Sequence, residues 1–392
     1  DAGCFGPKGN TDGLVIRDHP LYTGQKADRK TTTSAAGTVV NEAYYGPGSL
    51  IAELFEAATS LFGRNCLLQF EDFNSNDAFP LLETYRHRYL TYNDDIQGTA
   101  AVALAAILGA LRIRSPSERD VVGALKGETY LFHGAGSANL GTAALLRDEA
   151  GVPASSIYTT NSRGVLWVGA DGKGNFRNDE QKAAATPGPL PFGESKDLIE
   201  IIRAVKPSCL VGAVGRDPGC FSAAVIQALV EVNPGRRPVV FALSNPKTQA
   251  EVTAADAYAW SDGAVIYGSG TAMPTAMIGA SLRKPGQVNN VYIFPGVSFG
   301  AISCRASTIP ERFFLVAARA VADSLDDADV SADSVVPDRS RIRQVSLNVA
   351  VAVCLEAQAL GLAGRSLGAD RASVKAALEQ MMWAPPAGAS RL

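Results

Sequence analysis

The stretch TYLFHGAGSANLGTAALL, beginning at Thr129, constrains the fold more than any other part of the 392-residue chain. An apolar run of strand length passes into a glycine-rich turn and then into a small-residue run of helical composition, which is how a dinucleotide-binding fold opens. Gly134 suits the tight turn, Gly136 lets backbone approach a pyrophosphate, and Ser137 starts the helix whose amino end would hold it. The third position of GxGxxG/A is Asn139, so looser packing of helix on strand is expected. His133, just before the turn, reads as a packed residue. Four more apolar strand candidates come after it, at Ile157 to Thr159, Cys209 to Val214, Val239 to Leu243 and Ala264 to Tyr267. This grammar predicts an α/β chain with a Rossmann-like dinucleotide-binding domain.

The end of the next strand bears on cofactor choice. An acid about 20 residues past the turn would accept hydrogen bonds from the ribose 2′-hydroxyl of NAD. Here the strand runs out in Thr160-Asn161-Ser162-Arg163, with a guanidinium and no carboxylate. That exchange suits a 2′-phosphate and favours NADP over NAD, with Ser162 and Arg163 as contacts. Arg163 is also consistent with a solvated loop residue.

A second constellation lies upstream, in Glu71 to Gln97. The run Cys66 to Phe70 (CLLQF) reads as a short buried strand, so Glu71 and Asp72 fall at its carboxyl end, where open α/β sheets bind ligands. Asp94 and Asp95 precede Ile96 to Leu111, an Ala/Leu-rich run of helical length. Four acids brought together repel one another unless a cation neutralises them, and hard oxygen ligands suit Mg²⁺ or Mn²⁺. The same residues are equally consistent with helix caps and solvated loop charges.

Composition narrows the class. With 36 basic and 39 acidic residues there is no domain-wide basic surface for nucleic acid or an anionic membrane. No apolar run is expected to reach the length of a membrane span. The six cysteines are scattered without a CxxC and read as reduced core residues, and three histidines leave little for a histidine-based site. The first forty-odd residues read as loops and an extended arm. Helices are expected over Pro47 to Leu61, Asn76 to Arg88, Ile309 to Leu325, Ile342 to Leu360 and Ala372 to Met382, the last ones forming a helical cap. The chain begins at Asp1, which suggests a processed product or a fragment, and ends in Ser390-Arg391-Leu392, close to a peroxisomal address.

Several stretches together resemble the malic enzyme family: LLQFEDF, YNDDIQGTAAVALA, HGAGSANLG, FALSNPKTQAEVTAADAY, NNVYIFPGVSFGAI and RIRQVSL, in order, over most of Thr11 to Leu360. The resemblance implies a Rossmann-like NAD(P)-binding domain over 94–289, a second α/β domain from 1–93 with 290–361, and a C-terminal helical tail over 362–392. It implies oxidative decarboxylation of L-malate to pyruvate and CO₂ with reduction of NAD(P)⁺ and a required Mg²⁺ or Mn²⁺. Glu71, Asp72 and Asp95 match the family's metal ligands and Asp94 the partner of its catalytic base. Asn245 and Asn290 match positions near substrate and nicotinamide, and Asn289 a neighbouring cofactor-side position.

The departures matter as well. In the family a preceding portion supplies a Tyr acid, an Arg for malate's carboxylate and a Lys base, and this chain is expected to begin after it. Val288 stands where the family usually has Gly, Ser137 and Asn139 replace Glu and Ala, and Asn161 replaces the ribose-binding Asp. Two readings are open: an NADP-preferring malic enzyme whose amino-terminal catalytic part lies elsewhere, or a non-catalytic malic-enzyme-like subunit of a larger assembly. The family resemblance also implies a homo-oligomer in an intracellular compartment, mitochondrial or cytoplasmic.

Overall fold

The computed structural model describes residues 31–33, 39–41, 49–71, 73, 75–116 and 120–384. Its main sheet has seven strands, in the spatial order Gly286–Gln287, Ile266–Ser269, Val239–Ala242, Cys209–Gly212, Tyr130–His133, Ile157–Asn161, Gly164–Val165. Neighbours are parallel except at the last position, where Gly164–Val165 turns back on Ile157–Asn161. The central strands read YLFH, CLVG and VVFA, continuous apolar runs rather than alternating ones, because helices cover both faces.

Tyr130–His133 is the first of these strands in the chain. The second lies on one side of it and the fourth on the other, so the order reverses there and leaves a crevice beyond His133 and Gly212. A crevice at such a reversal is where open α/β sheets take ligands.

One face of the sheet packs on Leu198–Val205, Ala223–Glu231 and Ala254–Trp260. The other packs on Thr99–Arg114, whose residues from Ala100 to Leu111 are all buried, and beyond it on Phe294–Ser303, Glu311–Ala322 and Ile342–Ala359. Arg371–Met381 closes the far side by burying Val374 and Leu378. A smaller core gathers Ile51 and Phe55 from Leu50–Phe62, Leu81, Leu82 and Tyr85 from Ser75–Tyr85, and Phe70 and Ile96.

The elements expected from sequence fall within a few residues of these, with some corrections. The strand predicted over Cys66 to Phe70 occupies only Leu68–Phe70. Gly286–Gln287 and the pair Thr31–Thr33 with Val39–Asn41 are strands too short to register as apolar patterns. One helical stretch, Asp94–Arg114, does reach the length and apolarity of a membrane span, contrary to the sequence reading. Of its most apolar 18-residue window, 89% is buried within the fold, because it is the central helix between the sheet and the later helices. Cys66, Cys209, Cys220, Cys304 and Cys354 are free thiols, and Cys4 lies outside the described residues.

Candidate functional site

The acidic turn is built by strand register. Leu68–Phe70 pairs in parallel with Thr91–Asn93, a strand with no signal in the sequence, with Phe70 opposite Asn93. The residues that leave the two strands side by side are therefore Glu71 and Asp94. Asn93 then caps the turn beyond it, its Oδ1 accepting from the Ile96 backbone nitrogen at 3.0 Å. That turn, Asp94–Gly98, is a wide π-turn ahead of the α-helix Thr99–Arg114. Single π-turns of this kind are frequent at functional sites. It folds the Asp94 carboxylate over Gly98, where a Cβ would stand 1.9 Å from Asp94 Oδ1.

Asn290, 196 residues downstream, completes the turn. Its Nδ2 donates to the Asp94 carbonyl at 3.0 Å, to Asp94 Oδ2 at 3.0 Å and to Thr99 Oγ1 at 3.0 Å. Since Asn290 lies just past Gly286–Gln287, this contact places Asp94 at the carboxyl edge of the main sheet. The helix Ser137–Ala144 of the glycine turn also packs against Asp94–Gly98. The acid segment and the dinucleotide turn thus share one region.

Asp94 is 3% exposed, and burial, with Glu71 and Asp95 adding negative charge, pushes its carboxyl up to about 8 against the opposing Asn290 hydrogen bond. Its Oδ1 is buried with no hydrogen-bond donor. Glu71 is exposed and takes a bond from Gln69 Nε2 at 2.9 Å, while Gln69 Oε1 accepts from the Tyr92 hydroxyl at 2.7 Å. Asp95 is half-buried, and Asp72 lies outside the described residues. Among the described residues no three His, Cys, Asp or Glu side chains stand close enough to hold a metal. The hard-oxygen character of these acids, the crowding of Glu71 on Asp94 and the orphaned Asp94 Oδ1 nevertheless fit a divalent cation.

The cofactor turn is formed as the glycines require. Gly134 adopts φ 102°, and a side chain there would strike the Ala213 carbonyl at 2.6 Å. Gly136 opens on free space, and no side chain caps the helix Ser137–Ala144, so its first amides are left without a side-chain acceptor. Asn139 corrects an expectation. It is fully buried, and its Nδ2 donates to the carbonyls of His133 at 3.0 Å and Gly134 at 2.8 Å, pinning the turn to the helix. His133 bonds Thr160 Oγ1 at 2.9 Å, and burial lowers its basicity, in keeping with a packed residue.

At the other strand ends, Asn245 is exposed just past Val239–Ala242, and Asn289 caps the Val291 amide at 3.0 Å. Val288 does not face the crevice. It packs in the core, its Cγ2 lying 3.0 Å from where a Cβ on Gly268 would be. Ser162 and Arg163 are exposed at the end of Ile157–Asn161. Two residues escaped sequence reasoning. Glu251 is fully buried and accepts from the Val214 amide at 3.0 Å and from the Ser244 hydroxyl, tying two strand ends together. Arg177 donates from Nη2 to Ser162 Oγ. Glu251 lies within the quoted stretch FALSNPKTQAEVTAADAY and Arg177 in none of the quoted stretches, and for both only the folded loops reveal the role.

The reversed parallel sheet, open glycine turn and acidic turn define an α/β protein of Rossmann-like architecture whose acidic turn lies beside its glycine turn. The family model described as malic enzyme, NAD binding domain, matches residues 96–358, and that of the malic enzyme N-terminal domain matches residues 8–86. The chain belongs to the malic enzyme family. It is 36% identical over 357 residues to the NADP-dependent malic enzyme of Anas platyrhynchos, covering 88% of this chain and 58% of that protein. It is also 36% identical over 353 residues to the mitochondrial NADP-dependent malic enzyme of Homo sapiens, covering 88% of this chain and 53% of that protein. The chain therefore spans less than two thirds of the length of these relatives. In fold it is similar to the malic enzyme of Entamoeba histolytica, with a TM-score of 0.64 and 23% identity over 89% of this chain and 65% of that one. The malic enzyme of Pyrococcus horikoshii Ot3 is comparable, with a TM-score of 0.63 and 21% identity over 87% of this chain and 73% of that one.

Proposed function

We propose that this chain serves the oxidative decarboxylation of L-malate to pyruvate and CO₂, with NADP⁺ as the preferred hydride acceptor and Mg²⁺ or Mn²⁺ as the metal. The observation that carries this reading is the contact between Asn290 and Asp94. It joins the carboxyl edge of the cofactor sheet to the acidic turn, so hydride acceptor and metal would meet one substrate.

Glu71, Asp72 and Asp95 are the residues to hold the cation. When bound, the metal supplies positive charge at malate's hydroxyl and carboxylate, easing loss of the hydroxyl proton and stabilising the enolate left after CO₂ departs. The chain's own residues position and exclude. Gly134, Gly136 and Ser137 offer backbone to the pyrophosphate, Ser162 and Arg163 lie where the adenosine ribose would end, and Asn245 and Asn289 border the nicotinamide side. Asn290 orients Asp94, and Asp94 Oδ1 is the atom placed to hold a proton beside the substrate hydroxyl. The substrate-binding role of Asn290 is then shared with this positioning role. The units 94–289, 1–93 with 290–361, and 362–392 are proposed as dinucleotide domain, second α/β domain and tail.

The names of the relatives support the enzymatic reading, and nothing in the comparisons favours a non-catalytic assembly subunit. We further propose an intracellular compartment, since relatives carry the words mitochondrial and chloroplastic in their names, and a homo-oligomer by resemblance to the family. The test is malate-dependent reduction of NADP⁺ and NAD⁺ with Mn²⁺, measured on the full-length gene product. NADPH and pyruvate in equal amounts, abolished by chelation, are expected. Absence of turnover with either cofactor would reject the proposal.

A further inference from the structure

We infer that Arg177 is a specificity-determining residue, the second guanidinium that grips the 2′-phosphate of NADP alongside Arg163. The inference rests on the proposed NADP site and adds a residue that no motif assigns.

The placement comes from the strands. Ile157–Asn161 runs beside Tyr130–His133 with Thr160 opposite His133, so Asn161 and Ser162 emerge next to the Gly134 turn. At this end of the second strand a dinucleotide's adenosine ribose is read. Asn161 cannot serve as the acid that would grip a free ribose diol, and its amide is already committed. Its Oδ1 accepts from the Arg163 amide at 2.7 Å, and its Nδ2 donates to the Asn175 carbonyl at 2.9 Å and to Gln181 Oε1 at 3.3 Å. Asn161 has become a post that holds two neighbouring segments in place.

The segment it holds is the one that delivers Arg177. Asn175 is fixed by its Oδ1 accepting from Trp167 N at 2.9 Å and its Nδ2 donating to the Val165 carbonyl at 2.8 Å. Gln181 Oε1 accepts from the Arg177 amide at 3.1 Å, and Gln181 Nε2 donates to the Ala135 carbonyl at 3.1 Å, inside the glycine turn itself. The backbone of Arg177 is therefore tied to the turn that would carry the pyrophosphate. Its side chain reaches back to Ser162 Oγ, the hydroxyl directly before Arg163. Arg163 and Arg177 are both exposed, and among the described residues neither pairs with a carboxylate. Of the lysines in this loop, Lys173 lies 3.7 Å from the Asp171 carboxylate and Lys182 lies over the Phe176 ring at 5.5 Å. A guanidinium free of carboxylates on the Ser162 hydroxyl, with Arg163 the next residue in the chain, suits a phosphate monoester, which accepts charge-assisted bonds from several donors at once, and does nothing for a neutral diol.

The test is calorimetric titration of the full chain with 2′,5′-ADP and with 5′-AMP, which differ only in the 2′-phosphate. Wild type, Arg177→Ala, Arg177→Lys and Arg163→Ala are compared, and melting temperatures check that each variant folds. Arg177→Ala should weaken 2′,5′-ADP by about 10- to 100-fold while 5′-AMP changes less than about twofold. Arg177→Lys should recover part of the loss, since it restores the charge without the fork. Equal losses for both nucleotides, or no loss, would overturn the assignment of Arg177 and leave the dinucleotide reading standing. If the wild type binds neither nucleotide, both readings fall together.

Discussion

Replacing Asn290 with Ala removes the three donor contacts that hold Asp94 and Thr99, and the cost can be worked from the geometry. Asp94 is 3% exposed and its Oδ1 already lacks a donor, so losing the 3.0 Å bond to Oδ2 takes away the amide that offsets its burial. The bond to the Asp94 carbonyl goes at the same time. Burial raises the Asp94 carboxyl to about 8, so the charged form dominates only above that pH. There a hydrogen bond to a charged group contributes roughly 1.5–3 kcal/mol, and stranding a buried acceptor adds to that, so Asn290→Ala should cost about 2–4 kcal/mol in metal-free protein at about pH 9. Asn289→Ala is the matched control. Asn289 caps one amide, the Val291 N–H at 3.0 Å, and losing such a cap costs roughly 0.5–2 kcal/mol. Urea unfolding monitored by circular dichroism reads both variants. The reasoning is refuted if Asn290→Ala costs no more than Asn289→Ala, because Asp94 would then not depend on the amide.

Two further outcomes are expected, one from the same turn and one from a separate ion pair. Gly98→Ala should push the Asp94 carboxylate off Asn290, since the new Cβ would stand 1.9 Å from Oδ1. The Gly98→Ala/Asn290→Ala double variant should therefore lose clearly less than the sum of the singles, and additive losses would contradict this. Asp338 has its carboxyl held well below the usual range, first by the Lys284 bond and then by Ser340. A depressed carboxylate stabilises the fold above its unfolded value of about 3.9 and loses that contribution as pH falls toward its own lower value. Asp338→Asn should thus be less stable than wild type at pH 7, with the gap narrowing below about pH 4. A gap of constant size would show that the charge of Asp338 is irrelevant.

The main sheet was legible because its strands are buried on both faces and read as apolar runs bounded by glycine and polar turns. The short elements stayed hidden. Thr91–Asn93 is a three-residue strand with no pattern of its own, yet its register with Leu68–Phe70 is what sets Glu71 against Asp94. Residue identity pointed to the acids as a group, whereas their meeting depends on a pairing between segments 23 residues apart in register. The same holds for Asn139 and Val288. Each departs from the family pattern in the sequence, and each is absorbed by packing, Asn139 as a pin across the glycine turn and Val288 as a core side chain. Arg177 and Glu251 act through loop hydrogen bonds, which composition and periodicity do not encode.

The proposed chemistry turns on whether the acids after Phe70 and Asn93 gather around a divalent cation. Mn²⁺ titration monitored by electron paramagnetic resonance, with melting temperature read in parallel, tests this on wild type and Asp95→Asn. One bound Mn²⁺ per chain is predicted for wild type, with a stabilisation of about 2.7 kcal/mol at 100 times the dissociation constant, and loss of both effects in Asp95→Asn. Equal Mn²⁺ binding and equal stabilisation in the two proteins would contradict it.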